Sequence, residues 1–387
     1  MSSVNRVKMK IVCDDRIPFL RGVLEPYADV IYKSGAETTP EDVKDADILI
    51  TRTRTRCGPS LLDGSGVRMI ATATIGFDHI DTEWCALHGI EWVNAPGCNS
   101  GSVCQYVASV LCCMSARYSL DLRKLTLGVV GVGNVGSKVV RLGRLLGMKV
   151  LSCDPPREAL EGGEGYVGLE EICSCCDIVT LHVPLNAEGA YPTVHLFDGE
   201  RLASMKDGAI LINSSRGPVV DGKALLGELR RGRLRAVLDV WENEPFPDRE
   251  LMSLCDIVTP HIAGYSADGK ALGTAMAVRA VSRRYGLPLD DWYPVSIPGP
   301  EGGLDLTIDA GSMSCHEVLM RALESTYDVL SDDARLRYEP DGFEYQRGHY
   351  PVRREPSAYT VQLLDADAEM AEVLEKAGFG KVVIRVR

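Results

Sequence analysis

The chain has 387 residues, 45% of them hydrophobic and 25% charged, with a formal net charge of −12. That length exceeds one small domain and suits two or three, each able to bury a core, while the negative balance opposes bulk attraction to nucleic acid or an anionic membrane. The opening stretch, MSSVNRVKMKIVCDD, lacks an apolar segment long enough for a signal peptide, and no later run approaches membrane-spanning length, so a cytoplasmic protein is expected. The 13 cysteines have no regular spacing and sit mostly among apolar residues, as at Leu111-Cys112-Cys113-Met114, which points to a reducing compartment.

In chain order, Lys10–Cys13, Asp29–Tyr32, Ile48–Thr51, Met69–Thr72 and Ile90–Asn94 read as short strands separated by helical or turn-rich segments, a small α/β unit. The segment Thr51-Arg-Thr-Arg-Thr-Arg56 alternates strictly. In an extended conformation it would put Arg52, Arg54 and Arg56 on one face and the threonines on the other, either as a solvated edge or with an arginine available to a phosphate. A long helix, Ser102–Ala116, leads into renewed β-α alternation with strands near 126–130, 149–153, 177–182, 209–213, 235–239 and 256–259, a doubly wound parallel sheet. Cys173, Cys175 and Cys176 fall on a short helix and read as packing rather than as a metal site, since no second cysteine pair complements them. Ala271–Tyr285 is a further apolar helix, followed by a Gly/Pro-rich linker. Beyond it, Leu304–Ile308, a helix over Cys315–Leu330, a charged stretch to Pro356, Tyr359–Leu363, another helix and a strand from Val382 make a small αβ domain. Its sheet would leave an open face for a second copy of the chain to cover, giving a homodimer.

The most specific local signal is Gly131-x-Gly133-x-x-Gly136, which closes the strand Leu127–Val130 and opens an amphipathic helix. Such a turn brings phosphate oxygens to a helix N-terminus, which is dinucleotide chemistry. Asp154 ends the next strand, at the place where a carboxylate grips a ribose 2′-hydroxyl and repels a 2′-phosphate. NAD is therefore expected over NADP, with Pro155-Pro156 where an NADP site more often has Arg and with Arg157 the nearby exception. Three polar residues stand at consecutive strand ends further on: Arg216, Glu244 and His261. Oxidation of a secondary alcohol needs a base for the hydroxyl proton, a partner that orients it and a cation for a substrate carboxylate. Imidazole, carboxylate and guanidinium suit those roles in turn.

These segments resemble the D-2-hydroxyacid dehydrogenase family through Gly131–Gly136, Asn213-Ser-Ser-Arg216-Gly, Asp239-Val-x-x-x-Glu244-Pro and Pro260-His261, over nearly everything from Lys10 to Tyr285. Ala95-Pro-Gly-Cys-Asn99, Cys153-Asp-Pro-Pro156, Asp239-Val-Trp241 and His261-Ile-Ala-Gly-Tyr265 resemble the branch that oxidises 4-phospho-D-erythronate on the route to pyridoxal phosphate. So do Tyr327-Asp-Val and Arg347-x-x-Tyr350-x-x-Arg353-Arg-Glu355. Gln105 stands where relatives commonly carry Glu. The resemblance implies a Rossmann NAD domain (102–262) inserted in a flavodoxin-like substrate-binding lid domain (1–101 and 263–289), with a C-terminal dimerisation domain (290–387). It implies Arg216, Glu244 and His261 in catalysis and Thr53, Thr74 and Tyr265 at the substrate. Gly131, Gly133, Asn134, Val135, Gly136, Asp154, Ser214, Ser215, Arg216, Asp239 and Gly264 would lie at NAD, with no metal. A phosphoglycerate- or lactate-type dehydrogenase, or a non-enzymatic NAD-sensing corepressor, are the alternatives.

Overall fold

The computed structural model describes residues 9–163 and 165–385. The described residues form two compact units, one from residues 9–99 with Ala267–Pro298 and one from Ser100–Ser266 with residues 299–385.

In the first unit, β1 (Lys10–Asp14), β2 (Asp29–Lys33), β3 (Ile48–Thr51), β4 (Met69–Thr72) and β5 (Glu91–Val93) make an all-parallel sheet in the order β2-β1-β3-β4-β5. Its central strands are apolar throughout because both faces are covered. Ile11, Cys13, Ile48 and Ile50 pack towards Ala277, Val278 and Val281, whereas the alternate Val12, Leu49 and Ile70 pack towards Val43, Leu61 and Cys85.

The expected alternation after Thr51 does not form. The strand ends there, residues 52–56 turn, Thr51 and Thr55 are buried, and Thr53 is exposed beside Arg54 and Arg56. A buried Thr51 hydroxyl donating to the Arg52 carbonyl (2.8 Å), and a Cys57–Ile80 bridge that restarts pairing, draw the chain out of the extended conformation. Arg52 donates to the Arg16 carbonyl (3.0 Å). No single face therefore collects the three arginines.

The second unit holds β6 (Thr126–Val130), β7 (Lys149–Cys153), β8 (Ile178–Leu181), β9 (Ile210–Asn213), β10 (Arg235–Leu238) and β11 (Ile257–Val258), all parallel, in the order β11-β10-β9-β8-β6-β7. The connections run outwards in both directions from β6, so β6 and β8 flank the switch point at which such sheets bind ligands. One face packs on Leu202, Leu225, Leu229 and the buried Cys173 and Cys176. The other packs on helix α1 (Ser100–Tyr118), and its apolar cluster runs on without interruption into the C-terminal segment through Val318, Leu319, Leu323, Val361 and Leu363. The C-terminal segment thus shares a core with the nucleotide sheet, a continuity that the Gly/Pro-rich linker before it does not suggest.

That segment contains β12 (Asp305–Asp309), β13 (Thr360–Leu364) and β14 (Lys381–Arg385), a parallel sheet in that order. The single helix expected over Cys315–Leu330 is two, Cys315–Thr326 and Val329–Tyr338. Tyr327 is extended between them, and the Asp328 carboxylate accepts from the Leu330 N–H (3.0 Å) to start the second helix. The charged stretch is partly helical, with Arg337–Asp333 and Arg347–Glu344 pairs at helical spacing. The open face of the small sheet places Asp305, Thr360 and Lys381 in one cross-strand row and Thr307, Gln362 and Val383 in the next, so it is mostly polar rather than apolar. No described helix is long and apolar enough to cross a membrane.

Candidate active site

The glycine turn leaves β6 with Gly131 at φ +84°, a left-handed conformation that side chains disfavour, and opens helix α2 (Gly136–Leu145). A Cβ on Gly136 would lie 1.9 Å from the Gly131 carbonyl oxygen, whereas one on Gly133 would meet nothing within 4 Å. The turn is thus closed where the helix meets the strand and open at the exposed Gly133–Asn134 corner, as a pyrophosphate requires. Val135 is the residue before the helix.

Asp154, at the end of β7, accepts from the Val132 N–H (2.7 Å) and, as a helix cap, from the Arg157 N–H (3.1 Å). It ties the glycine turn to the neighbouring strand end and retains acceptor capacity on both oxygens for a ribose. Arg157 is engaged with Glu161 (2.5 Å) and with the Val132 carbonyl.

Asn213, at the end of β9, accepts from the N–H (3.0 Å) and hydroxyl (2.8 Å) of Ser215 and donates to the Arg216 carbonyl (2.9 Å), which fixes the turn carrying Ser214, Ser215 and Arg216. The buried Ser214 hydroxyl has no hydrogen-bond partner, an unspent polar group where a dinucleotide would pass.

Asp239, fully buried at the end of β10, accepts from the Thr259 hydroxyl (2.7 Å) and from the N–H groups of Ile262 (2.7 Å) and Ala263 (2.9 Å). Its backbone carbonyl accepts from the His261 N–H (2.7 Å). It is therefore the brace of the turn after β11, on which His261 stands at φ +55°. A non-glycine residue in that region costs about 1–3 kcal/mol and persists where its surroundings hold it.

His261 Nδ1 lies 2.7 Å from Glu244 Oε2, and the other Glu244 oxygen accepts from the Trp241 N–H (2.9 Å). Trp241 is in turn anchored by its indole N–H to the Thr259 carbonyl (3.1 Å). Burial raises the Glu244 pKa, but the hydrogen bond and charge of His261, the Trp241 N–H and the charge on Arg347 outweigh it and leave the carboxyl below its ordinary value. The carboxylate therefore stays ionised and holds a proton on Nδ1, leaving Nε2 as the open lone pair. Arg216, Glu244 and His261 follow β9, β10 and β11, so strand order puts the three on neighbouring strand ends. Arg216 donates to the Ser215 carbonyl (2.9 Å).

Tyr265 stands edge-on to Tyr350 at 5.8 Å, with the Arg347 guanidinium 5.9 Å from its ring. Gly264 lies in the turn between Ala263 and Tyr265. Thr53 and Thr74 belong to the other unit, where the Thr74 hydroxyl contacts that of Thr72 (2.8 Å) and donates to the Gly76 carbonyl (3.1 Å). Gln105 uses its amide N–H groups on the carbonyls of Arg354 (2.9 Å) and Thr326 (3.4 Å), contacts a glutamate could not make. Thr259, Trp241 and the arginines of the C-terminal segment were not singled out from sequence as site residues, because each acts through a contact distant along the chain.

Residues 111–263 match the model of the D-isomer specific 2-hydroxyacid dehydrogenase NAD binding domain, and residues 305–378 match a domain of unknown function. The chain belongs to the D-isomer specific 2-hydroxyacid dehydrogenase family, and it is an NAD-dependent oxidoreductase. It is 49% identical to the erythronate-4-phosphate dehydrogenase of Bacteroides fragilis over 91% of this chain and 99% of that one. To the enzyme of the same name from Porphyromonas gingivalis it is 43% identical, over 96% and 100%. Among solved structures it is similar to the D-lactate dehydrogenase of Aquifex aeolicus complexed with NAD and lactic acid, with TM-score 0.59 and 28% identity over 75% of this chain and all of that one.

Proposed function

We propose that the chain oxidises 4-phospho-D-erythronate at C2 to 2-oxo-3-hydroxy-4-phosphobutanoate, a step in pyridoxal phosphate biosynthesis, and that the second unit's strand ends carry the chemistry. The observation that carries the reaction is the 2.7 Å contact between His261 Nδ1 and Glu244, which leaves Nε2 free to take the hydroxyl proton. Glu244 stabilises the imidazolium so formed, and Arg216 holds the substrate carboxylate through charge-assisted hydrogen bonds. NAD, held by Gly131, Gly133, Asn134, Val135, Gly136, Asp154, Ser214, Ser215, Asp239 and Gly264, supplies the hydride acceptor. Thr53, Thr74 and Tyr265 contact the substrate, and the first unit acts as the substrate-binding lid.

The substrate assignment is supported by the relatives' shared name and their near-complete coverage. The protein works in the cytoplasm, as a homodimer joined through the C-terminal segment. Resemblance supports the dimer; the polar open face of the small sheet does not add to it. Steady-state rates with 4-phospho-D-erythronate, 3-phosphoglycerate and D-lactate test the reading. The first should exceed the others in kcat/KM by about 10²-fold or more, the scale that one missing carbon unit sets in a fitted pocket before any lost hydroxyl contact is counted. Preference for either other acid would overturn the substrate, and NAD binding without turnover of any would favour the corepressor.

A further inference from the structure

The C-terminal segment carries a buried cation that touches the catalytic turn. Arg353 is 5% exposed, and its Nη2 donates to two successive backbone carbonyls, those of Ile262 (3.3 Å) and Ala263 (2.5 Å). These are the residues whose N–H groups are held from the opposite side by the Asp239 carboxylate. The turn bearing His261 is thus gripped on its N–H groups by an anion from β10 and on its C=O groups by a cation from a segment about ninety residues further along the chain.

The surroundings of Arg353 are built to keep it there. Its guanidinium lies 4.3 Å from the Tyr327 ring centroid and 5.8 Å from that of Tyr350. Both tyrosine hydroxyls donate to the same buried Asp332 oxygen, at 2.6 and 2.7 Å, which fixes the two rings. The break between the two helices, with Tyr327 extended, is what aims that ring inwards. Yet Nε and Nη1 of Arg353 have no hydrogen-bond partner. A buried guanidinium with donors unspent is a poor device for stability alone, because their desolvation is not repaid.

We propose that Arg353 is a positioning residue for the dehydrogenase reaction: it holds the left-handed turn so that His261 meets Glu244, which makes the domain of unknown function a working part of its own chain's active site. The proposal rests on His261 being the base. A turn free to relax from φ +55° would carry the imidazole away from Glu244. A displacement of about 1 Å at a catalytic group costs on the order of 10²-fold in rate.

Arg353→Met keeps the bulk of the side chain and removes its donors and charge. Expected are a ten- to hundredfold fall in kcat, much smaller rises of no more than about fivefold in KM and in the NAD dissociation constant because Gly264 and Tyr265 share the turn, and faster amide exchange at residues 261–265 only. Arg353→Lys, which can still donate to a carbonyl, should recover part of both. Unchanged kcat, or a fall in kcat with unchanged exchange at 261–265, would overturn the proposal. So would a collapse of NAD binding in parallel with kcat. If the Met variant does not fold, Arg353→Lys decides: lowered kcat with faster local exchange supports the role, and parental values of both refute it. His261→Ala separates the two levels, since its full retention of turnover would remove the base itself, whereas its loss alongside an unaffected Arg353 variant would defeat only the positioning role.

Discussion

Glu244→Gln should be among the most damaging conservative changes in the chain, and the structure says why. In the parent, one carboxylate oxygen accepts from the Trp241 N–H at 2.9 Å and the other from His261 Nδ1 at 2.7 Å. A glutamine has one oxygen and one NH2 group. The fixed Trp241 N–H can only donate, so the amide must turn its oxygen to Trp241 and its NH2 to His261. An NH2 donor facing Nδ1 selects the tautomer that carries its proton on Nε2, and that imidazole cannot accept the substrate proton. Loss of the correct tautomer in a comparable His–carboxylate pair of a serine protease costs about 10⁴-fold in kcat, or about 5 kcal/mol in the barrier. The assay is steady-state NADH formation with saturating substrate, alongside a separate titration of NAD binding, which should not change. A Gln variant within about tenfold of the parent in kcat would show that Glu244 does not set the tautomer.

Two further outcomes follow from single contacts. Asp154→Ala should weaken NAD and narrow the preference over NADP, because it removes both the carboxylate that repels a 2′-phosphate and the acceptor of the Val132 N–H; a parent protein that already binds NADPH as tightly as NADH would contradict the ribose assignment. His79 is buried, its Nε2 has no partner, and burial pushes its pKa down from 6.5 to about 4. The unfolded chain therefore binds a proton that the folded one refuses, and stability is lost as pH falls from about 6.5 towards 4, by about 2 kcal/mol at pH 5. Thermal melts at pH 5 and pH 7 should show a smaller gap for His79→Phe than for the parent, and an equal gap would refute the assignment.

Much of the nucleotide domain was legible in the chain because its signals are local. A parallel strand buried on both faces must be apolar throughout, so β6, β8 and β9 stand out as runs. A glycine turn between strand and helix is needed for steric reasons that act within six residues. Strand ends collect ligands in such sheets, which is why Arg216, Glu244 and His261 stand out together as candidates in the chain itself. The alternating Thr51–Arg56 segment misled for the converse reason: alternation predicts a strand only if a neighbour pairs with it, and the chain turns at Arg52 instead. The Cys315–Leu330 periodicity likewise ran across a break set by one aspartate cap. What only the tertiary structure decided are contacts between groups far apart in sequence. Asp239 proves to be the brace of the His261 turn, the Trp241 indole is anchored on the Thr259 carbonyl, and Arg353 closes the turn from the far side. No periodicity records such pairings, because each depends on where the backbone places a single N–H or C=O group, and the sequence names the side chain but not the carbonyl it will meet.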